Sequence, residues 1–253
     1  MKAPLVDTHA HLCDPAFQPD LPAVCRRAAD AGVEAIIIVG EDLPDAQRNL
    51  ELAAHYPALK PAAGLYPTHL DQEAADRTIA FIRQNRSQLY AIGEVGLDFW
   101  AVKDPAGKEL QQEIFKTFIQ LSHELDLPLN VHSRSAGRQA IALLQALDAR
   151  KVQLHAFDGK FSTAQPAVEA GYFFSIPPSV MRSRQKQKLL KHLPLECLLV
   201  ESDSPVLGPD PAQRNEPANL VVAVKTIAAI KGESIETVAA HLHANTRRLY
   251  GRL

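Results

Sequence analysis

The chain is poor in the residues that mark several protein classes. Among 253 residues there are 3 cysteines, 2 methionines and 1 tryptophan, and aromatic residues make up 6%. Cys13, Cys25 and Cys197 are odd in number and form no CxxC pair. That argues against a disulfide framework and for the reduced thiols of a cytoplasmic protein. Long apolar runs are missing. Stretches such as 35–39 and 197–200 fall far below the roughly 20 residues that a spanning helix needs, and residues 1–7 carry no apolar stretch of signal-peptide length. An excess of one charge is missing too. With 27 Lys+Arg against 29 Asp+Glu the formal charge is −2. This speaks against a bulk polycationic nucleic-acid binder but leaves local phosphate chemistry open. There is no GxGxxG, GxxxxGK[ST] or GxSxG, and so no sequence sign of a dinucleotide fold, a P-loop or a nucleophile elbow. Ser183-Arg184-Gln185-Lys186 matches SxxK by coincidence on a polar helical stretch. The basic run of Arg182, Arg184, Lys186, Lys188 and Lys191 reads as a solvated helix face.

What is present is an ordinary globular composition, 46% hydrophobic and 22% charged, with 10 histidines. That is enough apolar material for a sizeable core. Short β-branched or apolar runs at 4–9, 34–40, 60–66, 90–97, 128–132, 152–155, 172–176 and 198–203 read as strands. Helical periodicity follows each, at 21–31, 43–56, 73–85, 110–125, 137–147, 164–170, 183–192 and 220–230, with a further helix at 235–249. Continuously apolar strands alternating with amphipathic helices imply a parallel sheet covered on both faces. Eight such units in this length suit a (β/α)8 TIM barrel with an extra C-terminal helix; an open doubly wound sheet is the alternative. No linker or repeat divides the chain, so residues 1–253 are expected to form a single domain.

The informative feature is where the polar residues fall. His9 and His11 end the first strand, Glu94 lies late in the fourth, His132 ends the fifth, His155 the sixth and Asp203 the eighth. In a barrel these ends share one mouth, where active sites are built. His9 and His11 are two apart, so extended backbone points both to one side. Glu94 stands inside an apolar strand, where a carboxylate is costly unless paired or metal-bound. Taken singly, each residue has a bland alternative: a capping or surface HxH pair, a buried ion pair for Glu94, core histidines at 132 and 155, a loop or helix cap for Asp203. Glu201 competes with Asp203 as the acid of its segment, and Asp98 could cap or orient a neighbour. Together they describe a two-metal hydrolytic site, with imidazole and carboxylate ligands and one acid able to bridge. Arg134, just past a strand end, carries a fork suited to phosphate; a surface ion pair is its plain alternative.

Six segments carry a resemblance. They are Asp7-Thr8-His9-Ala10-His11, Gly93-Glu94-Val95-Gly96-Leu97-Asp98, the run 128–134, His155-Ala156-Phe157-Asp158-Gly159, Ser202-Asp203-Ser204-Pro205 and Arg214-Asn215-Glu216-Pro217. In this order they resemble the TatD-type metal-dependent deoxyribonucleases of the amidohydrolase-like barrel group. The ending Asn245-Thr246-Arg247-Arg248-Leu249-Tyr250 looks like that family's final helix. Stretches 130–138 and 170–179 look most like its TatD domain-containing protein 3 branch. The resemblance implies a barrel that hydrolyses DNA phosphodiester bonds, often as a 3′ to 5′ exonuclease, with two divalent ions per chain. It implies that His9, His11, Glu94 and Asp203 hold one ion, that Glu94, His132 and His155 hold the other, and that Arg134 touches the scissile phosphate. Where the family usually has Gly-x-His-Pro, this chain has Gly64-Leu65-Tyr66-Pro67. Tyr66 thus takes the substrate-facing position, with His69 three residues on as a possible substitute.

The expected mechanism is two-metal activation of water by a monomeric enzyme. Asp203 orients or deprotonates the water, Glu94 bridges, and Arg134, with Tyr66 or His69, steadies the phosphate. Mg, Mn and Zn all suit the donors, and the substrate is DNA as a single strand or strand end. The alternatives are a metal-dependent hydrolase of a small amide, ester or lactone, and a non-catalytic metal-binding scaffold. Two bound divalent ions would add about +4 at the mouth of a chain that is neutral by composition.

Overall fold

β-Branched and aliphatic runs form eight parallel strands in the computed structural model, which describes residues 4–251 and 253. The strands are β1 (Leu5–Ala10), β2 (Val33–Ile38), β3 (Leu59–Ala63), β4 (Ala91–Gly96), β5 (Leu129–His132), β6 (Val152–Leu154), β7 (Phe173–Ile176) and β8 (Leu198–Val200). The helices are α1 (Leu21–Asp30), α2 (Leu43–His55), α3 (Gln72–Gln84), α4 (Pro105–Leu125), α5 (Gly137–Ala146), α6 (Phe161–Glu169), α7 (Arg184–His192), α8 (Leu220–Lys231) and α9 (Ile235–Tyr250). The strands neighbour one another in chain order, β1 to β8. Between β8 and β1 the connection runs through the loop beyond β8. Asp203 N donates to His9 O at 2.9 Å, Ser202 N to Asp7 Oδ1 at 2.8 Å, and Thr8 Oγ1 to Val200 O at 3.0 Å. The result is the nearly closed (β/α)8 barrel expected from the sequence, not the open sheet, whose strand order would reverse partway across.

Alternation along each strand explains why the strands are apolar throughout. In β2, Ile36 and Ile38 join the large core between strands and helices, while Ile37, with Val39 just beyond, joins the inner cluster with Ala62, Ala91, Phe173 and Leu199. Leu249 and Tyr250 of α9 complete that inner cluster. Tyr250 enters beside Tyr90, Pro128 and Lys151, which precede β4, β5 and β6, and its hydroxyl donates to Gln153 Oε1 at 2.6 Å. The extra C-terminal helix therefore plugs the end opposite the mouth. No helix among the described residues is long and apolar enough to cross a membrane.

Helix starts obey capping chemistry. The side chains of Asp42, Asp71, Asp104, Ser183 and Ser234 accept from backbone N–H groups in the first turns of α2, α3, α4, α7 and α9, contacts worth about 1 kcal/mol each. The cap at Asp104, with Pro105 preset for the first turn, starts α4 five residues before the position read from apolar spacing. Conversely β3 and β8 stop at Ala63 and Val200, so Tyr66 and Asp203 stand on loops beyond the strand ends.

The close approach of β4 to β5 at the mouth depends on Gly96. It pairs with His132, its φ is 141°, and a Cβ there would lie 2.0 Å from His132 O. Gly96→Ala is expected to destabilise the protein by about 3 kcal/mol, in the upper range for single substitutions. Gly171→Ala is the control: φ is 78° and a Cβ would meet nothing within 4 Å, so the cost is about 1 kcal/mol. Urea midpoints of the two variants check this, and equal midpoints would contradict it.

Candidate metal centre at the barrel mouth

Glu94 sits at the centre of the mouth, 1% exposed. Its Oε2 faces His11 Nε2 at 3.4 Å and His9 Nε2 at 3.7 Å. Its Oε1 faces His132 Nδ1 at 2.7 Å and His155 Nε2 at 2.8 Å. Asp203 Oδ1 lies 3.6 Å from His9 Nε2 and 3.8 Å from His11 Nε2. The six residues singled out in the sequence thus surround one point, with the oxygens of Glu94 turned to two different histidine pairs. His9 and His11 come together because they are two apart on extended backbone, which brings their Nε2 atoms to 3.1 Å. Asp203 reaches the cluster from a left-handed backbone turn, φ 51°, one of several positive-φ residues in the mouth loops together with Ser135 and Ala156.

Hydrogen bonds behind the donors set which of their atoms face inward. Asn130 Nδ2 donates to Thr8 O, so Asn130 Oδ1, 2.8 Å from His9 Nδ1, accepts the proton on that nitrogen. Burial holds the ring well below its usual pKa, the neighbouring His155 and His11 adding to the effect. His9 is therefore neutral with the Nε2 lone pair aimed inward. His132 Nε2 lies 3.1 Å from Asp98 Oδ2, which turns Nδ1 toward Glu94. His155 Nδ1 is buried without a hydrogen bond among the described residues, 3.7 Å from Glu201 Oε2. Inward lone pairs facing each other and a carboxylate repel unless a cation or proton is shared among them. Ligand atoms of His9, Glu94 and His155, and of His9, His11 and Asp203, fall within 4.8 Å of one another. Imidazoles oriented by carboxylate or amide partners are how proteins build divalent-metal sites, and this donor set fits such ions.

Protons compete for the same atoms. Burial works against charge on His11, yet its bond to Glu94 and the charges of Glu94 and Asp203 push it up to about 8. Burial likewise opposes charge on Glu94, but His155 and His132 hold it well below the carboxylate range. Burial raises Asp203 to about 6 against the pull of His155 and His11.

The mouth opens into a cavity of about 480 Å³ lined by Glu94, His132, His155 and Asp203, and by Tyr66, Arg134 and Lys186. The Tyr66 hydroxyl donates to Asp98 Oδ2 at 3.4 Å and lies 3.5 Å from His132 Nε2. The Arg134 guanidinium stacks 3.7 Å from the centre of the exposed Trp100 ring. Its loop is tied to the loop after β6 by Ser135 N donating to Asp158 Oδ2. His69 does not line the cavity; it stands within electrostatic reach of Glu41 on the rim.

Three supporting residues were undervalued in the sequence. Asn130 orients His9, and its sign was a lone amide inside an apolar strand. Glu201 is fully buried and engaged by Ser175 Oγ at 2.5 Å and Ala156 N at 2.8 Å, so it supports His155 from behind while Asp203 faces the cavity. Lys186 corrects the solvated-face reading: Arg182, Arg184, Lys188 and Lys191 are exposed, but Lys186 turns into the cavity. Its sign was helical phase, since Lys186, Leu189 and Leu190 share one face and both leucines are buried.

Comparison with known proteins agrees with this architecture. The model of the family described as TatD related DNase matches residues 6–251. The chain is 44% identical over 261 residues to a human protein named Deoxyribonuclease TATDN3, covering 98% of this chain and 95% of that one. It is 32% identical to the Salmonella typhimurium protein named 3'-5' ssDNA/RNA exonuclease TatD, covering 97% and 98%. Among solved structures, YJJV, a TatD homolog from Escherichia coli, superposes with a TM-score of 0.92 at 28% identity over 100% of both chains. With the barrel, the ordered motifs and the near full-length match in agreement, the chain belongs to the TatD family of DNase-related metal-dependent hydrolases.

Proposed function

We propose that this chain is a deoxyribonuclease that removes nucleotides from the 3′ end of single-stranded DNA. The observation that carries the reading is the donor cluster around Glu94, opening directly onto Arg134. His9, His11, Glu94 and Asp203 would hold one divalent ion, and Glu94, His132 and His155 a second; Mg, Mn and Zn each suit these donors. Bound there, the ions supply charge neutralisation at the phosphate and lower the proton affinity of water. The protein's own residues do the rest. Arg134 presents parallel N–H groups to non-bridging phosphate oxygens, and stacking on Trp100 limits its rotamers. Asp203 has no hydrogen bond on Oδ2 among the described residues, so that oxygen is free to take the proton of the attacking water. Tyr66 offers a hydroxyl beside the phosphate position. Asn130 and Asp98 hold His9 and His132 in register by hydrogen bonds, and the buried carboxylate of Glu201 faces His155 Nδ1 from behind.

A cavity of about 480 Å³ is the size of a small-ligand pocket, in the roughly 300–1,000 Å³ range. That favours a strand end over a duplex, and the same volume suits a small amide, ester or lactone as the second reading. One chain supplies every donor of the cluster, so the proposed centre needs no second copy to complete it, in keeping with a single domain acting as a monomer. Its three cysteines are free, which suits the cytoplasm.

End-labelled single-stranded DNA tests the reading. Stepwise shortening from the 3′ end is expected with added divalent ion, loss of activity with EDTA, and recovery with Mg or Mn. Chelator-resistant cleavage, or turnover confined to a panel of esters, amides and lactones, would overturn it.

A further inference from the structure

Among the described residues, Arg134 and Lys186 are the Lys or Arg side chains on the cavity wall, and the function above gives a role to Arg134 alone. Lys186 stands in the first turn of α7, where its backbone N–H is capped by Ser183 Oγ. Its Nζ donates to Ala156 O at 2.8 Å. Ala156 follows His155 in the loop after β6, has a left-handed φ of 43°, and gives its own N–H to Glu201. The ammonium is therefore pinned to the same loop that carries a histidine of the metal centre, not left waving over a helix surface.

An ammonium has three N–H donors, and the bond to Ala156 O is the only one Nζ makes among the described residues. It also forms no ion pair among them. The acids around it, Glu201, Asp203 and Asp158, lie within electrostatic reach, but each turns at least one carboxylate oxygen to another partner. Glu201 binds Ser175 and Ala156, Asp158 accepts from Ser135 N, and Asp203 faces His9 and His11. A partly desolvated cation without a partner is costly, and in folded proteins such charges are normally paired. Burial accordingly draws the Lys186 pKa below its usual value. Among the described residues none of these acids comes within ion-pair distance of Nζ, and a phosphate of the proposed substrate has the charge to do so.

We propose that Lys186 is a substrate-binding residue that contacts a phosphate of the DNA strand, on the side of the cavity formed by the loop after β6. Arg134 and Lys186 then hold the strand between them, and the Arg134–Trp100 stack offers its exposed ring to a base. The proposal rests on the deoxyribonuclease reading for the identity of the strand, but not for the anion contact itself.

Two variants separate charge from anchoring. Lys186→Gln keeps a donor for Ala156 O without the charge, and Lys186→Arg keeps the charge. Inorganic phosphate is titrated calorimetrically into metal-loaded protein, a readout that needs no turnover. KM, kcat and their salt dependence are then measured on a short single-stranded oligonucleotide. For Lys186→Gln, phosphate affinity is expected to fall and KM to rise about tenfold, the size of one charged hydrogen bond, with kcat within about threefold. The slope of log kcat/KM against log salt should become shallower by about 0.7, one phosphate contact on a single strand. Lys186→Arg should stay within about threefold of the parent in phosphate affinity, KM and kcat, with its salt slope unchanged. Unchanged phosphate affinity and salt slope in Lys186→Gln would overturn the proposal. So would equal loss in both variants with a matching fall in metal content, the mark of a helix anchor only. If the parent protein binds phosphate through Lys186 yet cleaves no DNA, the deoxyribonuclease reading fails while the anion contact stands.

Discussion

Glu94→Gln is expected to lower kcat/KM on single-stranded DNA by about a thousandfold or more and to strip the protein of bound metal. The two carboxylate oxygens of Glu94 face different histidine pairs, at 2.7 and 2.8 Å on one side and 3.4 and 3.7 Å on the other. An amide replaces one oxygen with an NH2 donor that points at imidazole lone pairs. It also removes the single buried negative charge that serves both pairs. Losing an ion forfeits several kcal/mol of transition-state stabilisation, and about 4 kcal/mol corresponds to roughly a thousandfold in rate. Elemental analysis of the purified variant beside single-turnover kinetics checks both halves. Full metal content with full activity would remove Glu94 from the centre of the mechanism.

Asp203→Asn separates proton transfer from metal holding. Asn keeps a carbonyl oxygen where Asp203 Oδ1 faces His9 and His11, so metal content should fall less than in Glu94→Gln. What it loses is a second oxygen able to accept a proton, and general-base contributions are typically 10²–10⁴-fold. The expected result is a fall of about 10³-fold in kcat with KM within a few-fold. The loss should be smaller in Glu201→Gln, because Glu201 does not line the cavity and acts from behind, through His155 and the Ala156 loop; about 10–100-fold is the usual effect of such support. If Glu201→Gln were the more damaging change, the two acids of this segment would have to exchange roles.

Much of the centre is legible along the chain because a barrel converts sequence position into spatial position. Parallel strands all point the same way, so a polar residue at the end of any apolar run arrives at the same mouth. His9, His11, Glu94, His132 and His155 were readable for that reason, and Asp203 by its place beyond β8. The rule has no power over residues that reach the mouth from a helix or from deep in a strand. Lys186 illustrates the first case: helical phase sets it on the buried side with Leu189 and Leu190, but that this side meets the cavity depends on the packing of α7 over the loop after β6. Asn130 illustrates the second, since whether an inward amide orients a histidine or bonds the backbone depends on what stands across the barrel. His69, three residues past Tyr66, shows the reverse. Being near a motif in sequence does not carry a side chain over the rim.

Strand and helix identity, their alternation and the candidate ligands were thus determined by the sequence itself. They depend on periodicity and on residue chemistry, which are local properties. Tertiary structure alone decided which oxygen of Glu94 serves which histidines, which ring nitrogen of His9 faces inward, and that Glu201 stands behind His155 while Asp203 faces the cavity. It also decided that the C-terminal helix plugs the far end through Tyr250. These are contacts across up to 195 positions of chain, as between Ser202 N and Asp7 Oδ1. Their geometry is set by barrel closure and by the packing of buried side chains, and no local pattern encodes it.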